Sequence, residues 1–125
     1  MSNPKIIIAI AAVLLALAVA AGAFGAHALK NILSAERLET WQTAVQYHAW
    51  HALGLILIAL IGAQFEITIT WPVSLILAGI VIFSGSLYVL CLSGISWLGA
   101  ITPIGGVAFI SGWILLAVQC IRESF

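Results

Sequence analysis

The sequence predicts an all-α integral membrane protein, a bundle of four transmembrane helices whose second helix carries an amphipathic N-terminal extension. Three observations carry this. Of the 125 residues, 64% are hydrophobic and 6% charged, and the mean hydropathy is +1.25, whereas about a quarter of the residues of a soluble protein are charged. The few charges divide the chain into long apolar segments, because an ion at the bilayer centre costs roughly 2.5 to 3.5 kcal/mol. One stretch, Thr40 to Ala63, enters as a polar aromatic helix with His48 and His51 and leaves as an uninterrupted apolar one.

The charge-free segments run from Ile6 to Leu29, from Thr40 to Phe65 and from Ile67 to Ile121, the last 55 residues long. A span takes about 20 residues, so the third segment holds two. The spans are placed at roughly 6–27, 45–63, 72–92 and 102–121, within a single transmembrane domain covering 1–125. Lys5 and the apolar run ending at Ala21-Gly-Ala23 also fit a secretory signal, but the run exceeds the roughly 7 to 15 residues of a signal core, and it is read as the first span.

In the first helix Ala12, Ala16 and Ala20, and then Ala18, Gly22 and Ala26, recur every four residues, the small-residue spacing that lets helix backbones approach in lipid. His27 follows, either capping the last carbonyls of this helix or acting as a proton-exchanging or ligand-contacting group beside Gly22 and Gly25. Lys30 to Glu39 is the polar segment, with Ser34 as the expected N-cap of a helix continuing to about Ala63. Along it Leu38, Trp41, Val45, His48, Ala52 and Leu55 form one stripe. His48 and His51 are neighbours at three-residue spacing. A metal site needs at least three protein ligands, and His27 alone remains to complete one, so no metal and no cofactor is expected.

Gln64 to Thr70 is a loop. Thr70-Trp-Pro72 and Thr102-Pro103 both look like helix starts with a threonine N-cap and proline in the first turn. Ser93-Gly-Ile-Ser-Trp97 marks the break between the last two spans. Within the third span, Ser84 and Ser86 are candidates for hydrogen bonds across helices, with Gly85 admitting a close neighbour. Phe83-Ser-Gly-Ser-Leu-Tyr88 lacks the spacing and strand context of a nucleophile elbow. Gly105 and Gly106 provide a helix-packing notch, or else exposed amides that receive an anionic lipid or quinone head group.

Four spans put both termini on one side. Lys5 and Arg122 there balance Lys30 and Arg37 on the other, and the terminal amine tips the expectation toward cytoplasmic termini. Cys91 and Cys120 then lie on opposite faces of a layer about 30 Å thick, too far apart for a disulfide. Four scattered basic residues form no surface for nucleic acid.

Gly22-Ala-Phe-Gly-Ala-His-Ala-Leu29, Trp41, Tyr47 and His51-Ala-Leu53, Phe83-Ser-Gly-Ser-Leu-Tyr88, and Thr102-Pro-Ile-Gly-Gly-Val107 with Gly112-Trp113 together resemble the YgdD-like family of small bacterial inner-membrane proteins. That family is catalogued as domain of unknown function 423. The resemblance covers nearly the whole chain and implies a multi-pass inner-membrane protein without supplying an activity or cofactor. Its pattern marks Gly22, Gly25, His27, Tyr47, His51, Ser84, Gly85, Ser86, Tyr88, Thr102, Pro103, Gly105 and Gly106, and His48 falls outside it. A polar site is therefore expected from His27, Tyr47, His51, Ser84, Ser86 and Tyr88. The leading functional expectation is a non-enzymatic bundle whose partner is membrane lipid, as a homo-oligomer or part of a larger complex. The alternatives are a small-solute carrier or channel using His27 and His51, and a protein in which these two histidines hold haem or a quinone.

Overall fold

A computed structural model of the chain describes residues 3–124. They form four long helices, α1 (Pro4–Leu29), α2 (Ala35–Phe65), α3 (Thr70–Ser93) and α4 (Ser96–Arg122), each long and apolar enough to cross a membrane. Short connections make consecutive helices antiparallel, so the described ends of the chain lie on one side with the α2–α3 loop. The α1–α2 and α3–α4 loops lie on the other.

The caps follow from the local sequence. Asn3 accepts the Lys5 amide at 3.0 Å, and Pro4 occupies the first turn of α1, where a missing N–H costs nothing. Ser34 caps α2 by accepting the Arg37 amide at 3.2 Å. From there α2 runs 31 residues without a break, about 45 Å at 1.5 Å per residue. That exceeds the hydrocarbon layer, so its polar first turns reach into the interface. α3 ends on Gly94 in the left-handed conformation, with φ of 74°, as a glycine C-cap does.

Two expected caps are corrected. Thr70 is the first residue of its helix, the cap position belongs to Ile69, and the Thr70 carbonyl accepts the Ser74 hydroxyl. Thr102 also lies inside α4, which starts earlier as a 3₁₀ turn over Ser96–Ala100. Its hydroxyl lies 2.7 Å from that of Ser86. The Thr-Pro pair is compatible with a helix start, but Gly94 has already turned the chain, so the proline is absorbed into the early turns of a helix under way.

The helices pack in sequence order, α1 on α2, α2 on α3 and α3 on α4, with α1 and α4 on the flanks. The centre is therefore α2 and α3. One apolar core joins Ile7 and Ala11 of α1, Leu55 and Ile58 of α2, Val73 and Ile76 of α3, and Phe109 of α4. A second, towards the α1–α2 loop, gathers Trp41, Leu90 and Cys91 with Leu29, Val45 and Leu98 around them. Trp71 and Trp97, at the starts of α3 and α4, are exposed at opposite ends of the bundle, where tryptophan anchors a span in the two interfaces.

Both α1 and α3 contain a π-helical turn, over Ala20–Gly25 and Ile80–Ser84. Such turns widen the hydrogen-bond ladder and free carbonyls to receive other donors. The Ala21 carbonyl accepts the Trp41 indole N–H at 2.9 Å, which ties α1 to α2 at the bulge. Interhelical hydrogen bonds in membranes contribute about 0.6 kcal/mol on average and about 1.7 at most. Trp41→Phe keeps the ring but loses this donor, and it is expected to lower stability in detergent within that range. A steric-trapping or thermal-unfolding measurement on the two proteins checks it.

The small-residue ridges of α1 divide. Ala18 is buried and Gly22 faces Val45, so this ridge is the α1–α2 contact. Ala12, Ala16 and Ala20 are exposed on the outer side. Gly25 is closed over by the Trp41 ring, which a β-carbon would meet at 3.0 Å. Gly105 is the tightest approach in α3–α4, since a β-carbon there would stand 2.7 Å from the Phe83 Cα. Gly105 therefore seats α4 against the π-turn of α3 and offers no open amide to an anionic head group. Gly85 does not serve as a packing notch, because nothing lies within 4 Å of where its β-carbon would be. Gly106 also has no close neighbour, its nearest contact being Phe83 at 4.0 Å.

Candidate functional site

Between the two apolar cores, α2 brings a belt of polar and aromatic side chains to α1, α3 and α4. His48 and His51 are both buried, at 5% and 8% exposure. Three-residue spacing turns them to different neighbours. His48 meets α3, where its Nδ1 lies 2.8 Å from the Tyr88 hydroxyl. His51 meets α4, where its ring stacks on Phe109 at 3.6 Å between centroids, with Trp113 at 5.8 Å.

Their partners differ in kind, a backbone carbonyl for His51 and a hydroxyl for His48. His51 Nδ1 lies 2.8 Å from the Tyr47 carbonyl one turn back, so this nitrogen carries the proton and donates. The Tyr88 hydroxyl finds its partner in His48 Nδ1. If Tyr88 donates, His48 Nδ1 is the acceptor and Nε2 carries the proton. His48 Nε2 is buried without a hydrogen-bond partner among the described residues. The Leu14 backbone carbonyl approaches the imidazole from α1 but does not reach hydrogen-bond geometry with Nε2.

The expected site residues divide into three groups. Tyr47 and His51 share an aromatic cluster with Phe83 and Phe109, the Tyr47 ring lying 4.6 Å from Phe83 and 6.0 Å from His51. Ser84 donates to the Ala44 carbonyl of α2 at 2.7 Å, and Ser86 pairs with Thr102 of α4 while donating to the Phe83 carbonyl at 3.0 Å. Tyr88 belongs with His48 and with Trp41, whose ring is 4.8 Å away. These hydroxyls and imidazoles fasten α3 to α2 and α4.

His27 stands apart. It is exposed in the last turn of α1, beyond the level where Gly25 meets Trp41. Trp41 is ten residues before His51 along α2, about 15 Å. His27 and His51 therefore do not converge on one iron, quinone or solute. Among the described residues no three of His, Cys, Asp and Glu come together as metal ligands.

His48 is a buried polar residue that the expected site left out. The signal for it was the stripe from Leu38 to Leu55, which places His48 on the same buried face as Trp41, Ala52 and Leu55. The π-turn carbonyls left no signal, because they belong to the backbone.

At the end of the bundle that holds the chain termini, a cleft of about 250 Å³ opens beside the α2–α3 loop. Ala59, Gly62 and Ala63 form its α2 wall, and Glu66, Thr68 and Thr70 its rim. The loop is tied to the end of α4 by Glu123, whose carboxylate accepts the Thr68 amide at 3.1 Å and its hydroxyl at 3.3 Å. On the opposite side of the membrane Arg37 donates to the Ser96 hydroxyl at 3.2 Å, and the Cys91 thiol donates to the Arg37 carbonyl.

The model of the family described as protein of unknown function DUF423 matches residues 21–106, which include all but the first residue of the α1 π-turn, the α3 π-turn, the whole of α2 and the start of α4. The chain belongs to this family. It is similar to the UPF0382 membrane protein YwdK of Bacillus subtilis, 47% identical over 120 residues, covering 94% of this chain and 98% of the relative. The UPF0382 membrane protein of Staphylococcus saprophyticus is 48% identical over 114 residues, 91% of this chain and 95% of the relative. That of Staphylococcus haemolyticus is 44% identical over 118 residues, 94% and 97% of the two chains. No solved structure matches the chain. Bacterial membrane relatives of nearly the same length and four apolar helices make this a multi-pass membrane protein of the DUF423 family.

Proposed function

We propose that the protein is a non-enzymatic accessory bundle of the bacterial inner membrane, with both termini cytoplasmic. It works through its lipid-facing and partner-facing surfaces, as a homo-oligomer or as part of a larger complex. The observation that carries this is where the interior polar groups are directed. Ser84, Ser86, Tyr88, Trp41 and His51 all bond a neighbouring helix or their own backbone, an arrangement that fastens helices. Meanwhile α1 and α4 expose rows of large apolar side chains such as Val13, Leu17, Val107 and Ile114.

The test is purification in mild detergent, with lipid quantified and mass measured by light scattering. Retained phospholipid in fixed ratio, a defined oligomer or a co-purifying partner is expected. A lone monomer without retained lipid contradicts the proposal. Orientation is tested by C-terminal fusions, where green fluorescent protein is expected to fluoresce and alkaline phosphatase to stay inactive.

The unpartnered His48 Nε2 favours a second reading, in which a small neutral solute or quinone carbonyl bonds that nitrogen after α1, carrying Leu14, shifts away from His48. Flux into liposomes, or a quinone-dependent spectral change, that His48→Leu abolishes would support it. The absence of both in active reconstitutions would leave the accessory reading alone.

A further inference from the structure

We infer that two copies of the protein pair through the outer face of α2, along a seam of Thr43, Gln46, Trp50, Leu53, Leu57 and Leu60. This rests on the accessory function proposed above and names the partner as a second copy.

One amide points outward from the bundle. Gln46 is exposed on α2, and its depth follows from its neighbours. Val45 beside it packs on Gly22 of α1, and His48 meets α1 at Leu14. Leu14 is nine residues from Lys5, and Gly22 is eight from Lys30. At 1.5 Å per residue, Gln46 therefore stands about 12 Å or more from the level of either charge, too far for a glutamine side chain to reach water. On α3 the neighbouring level is that of Ser84, at the end of the π-turn, whose hydroxyl donates to the Ala44 carbonyl. Gln46 thus lies within the hydrocarbon layer. Other polar groups along α2 are satisfied inside the protein. Thr43 donates to the Glu39 carbonyl, His51 to the Tyr47 carbonyl, and His48 Nδ1 pairs with Tyr88. The Gln46 amide has no partner among the described residues, and acyl chains offer it none.

The spacing around Gln46 indicates what covers it. Thr43, Gln46, Trp50, Leu53, Leu57 and Leu60 follow at alternating steps of three and four residues. That is the 3.5-residue period of a left-handed coiled coil, the hand of most helix crossings in membranes. Trp50 and the three leucines are each more than half exposed. Leucines alone would face acyl chains equally well, so it is the amide in their line that calls for protein. The outer faces of α1 and α4 present Val13 and Leu17, and Val107 and Ile114, which lipid covers as well as protein would.

A second copy fits this seam better than an unrelated helix. Copies inserted in one orientation pair about a twofold axis along the membrane normal, so each residue meets its own counterpart at the same depth. A glutamine amide is complementary to itself, carrying both N–H donors and a carbonyl acceptor. Two of them face to face exchange two hydrogen bonds. A single polar residue at a core position fixes register and pairing in coiled coils. Glu39, one turn before Thr43, is exposed in the first turns of α2, where water at the interface screens it from its counterpart.

The test joins cross-linking to a dissociation measurement. Leu53→Cys, Leu57→Cys and Leu60→Cys are made one at a time in full-length protein carrying Cys120→Ala, with Val13→Cys and Ile114→Cys as controls. Cys91 is buried and stays. Oxidation in native membranes is expected to give covalent dimers from the α2 positions and none from the controls. Dimer dissociation is read by fluorescence energy transfer on dilution into lipid. It is expected to rise about five- to tenfold in Gln46→Leu, because two interhelical hydrogen bonds are lost. Gln46 faces outward, so this variant keeps the wild-type melting temperature of the monomer. Cross-linking only through Val13→Cys or Ile114→Cys overturns the seam while leaving an oligomeric accessory protein intact. A different protein cross-linked at the α2 positions overturns the second copy in the same way. Dissociation unchanged in Gln46→Leu overturns the role of the amide. A monomer in every arm overturns the inference, and if that monomer still retains lipid or a partner, the accessory function stands without it.

Discussion

Gly105→Ala is expected to destabilise the protein by about 3 kcal/mol, at the upper end of overpacking costs, and to separate α4 from α3. The added carbon would stand 2.7 Å from the Phe83 Cα and closer still to its amide nitrogen. A flexible side chain could swing away, but backbone inside a packed helix cannot. Phe83 also lies in the π-turn whose hydrogen bonds are already rearranged, so the two helices must part. Parting them breaks the Ser86–Thr102 pair, which spans the same contact at 2.7 Å. Gly85→Ala is the control on the neighbouring helix. Nothing lies within 4 Å of its β-carbon, and replacing a helical glycine by alanine gains about 0.5 to 1 kcal/mol. Thermal unfolding of both variants in one detergent distinguishes them. A Gly105→Ala protein as stable as wild type would mean that α3 and α4 are not packed through this glycine.

The second large effect is a non-additive one at His48 and Tyr88. Tyr88→Phe removes the partner of His48 Nδ1 and leaves an imidazole with neither nitrogen bonded. Buried unsatisfied groups of this kind cost about 1 to 3 kcal/mol. His48→Leu alone leaves the Tyr88 hydroxyl unpaired and is expected to cost a similar amount. With both changes no polar atom remains to be satisfied, and the double variant is expected to lie within about 1 kcal/mol of wild type, because apolar replacement of both partners is nearly neutral. A double-mutant cycle by steric trapping reads the coupling. Strict additivity would mean the two side chains do not share a hydrogen bond in the membrane.

Much of this architecture is legible in the sequence, for a physical reason. Lipid leaves the backbone few solutions besides helices, and charge in the bilayer is costly enough that Lys5, Lys30, Arg37, Glu66 and Arg122 bracket the first two spans and the outer ends of the last two, while Ser93-Gly-Ile-Ser-Trp97 marks the uncharged break between those. Ser34 announces α2 because an exposed helix start needs a side-chain acceptor. Interior contacts are harder to read. Thr102-Pro103 has the chemistry of a helix start, and only the turn at Gly94, eight residues earlier, shows that the helix has begun. Gly85 and Gly105 look alike as letters, yet one faces open space and the other the Phe83 backbone, a difference set by how α3 and α4 are rotated about their axes. His48 followed from its place on the Trp41 stripe, but its partner on α3, forty residues away, depends on helix rotation that a single sequence does not encode. His27 and His51 are both histidines near a helix boundary or centre of a motif, and only the pairing of Gly25 with Trp41 separates them.

Native mass spectrometry of gently extracted protein, wild type beside His51→Ala, asks most directly whether the bundle interior is a fastening or a site. The interior bonds described for Ser84, Ser86, Tyr88, Trp41 and His51 predict that wild type carries phospholipid masses alone, on a defined oligomer or with a partner protein. A discrete haem, quinone or metal adduct on wild type that disappears in His51→Ala would contradict that, and would move the function from the lipid-facing surfaces to the histidine belt.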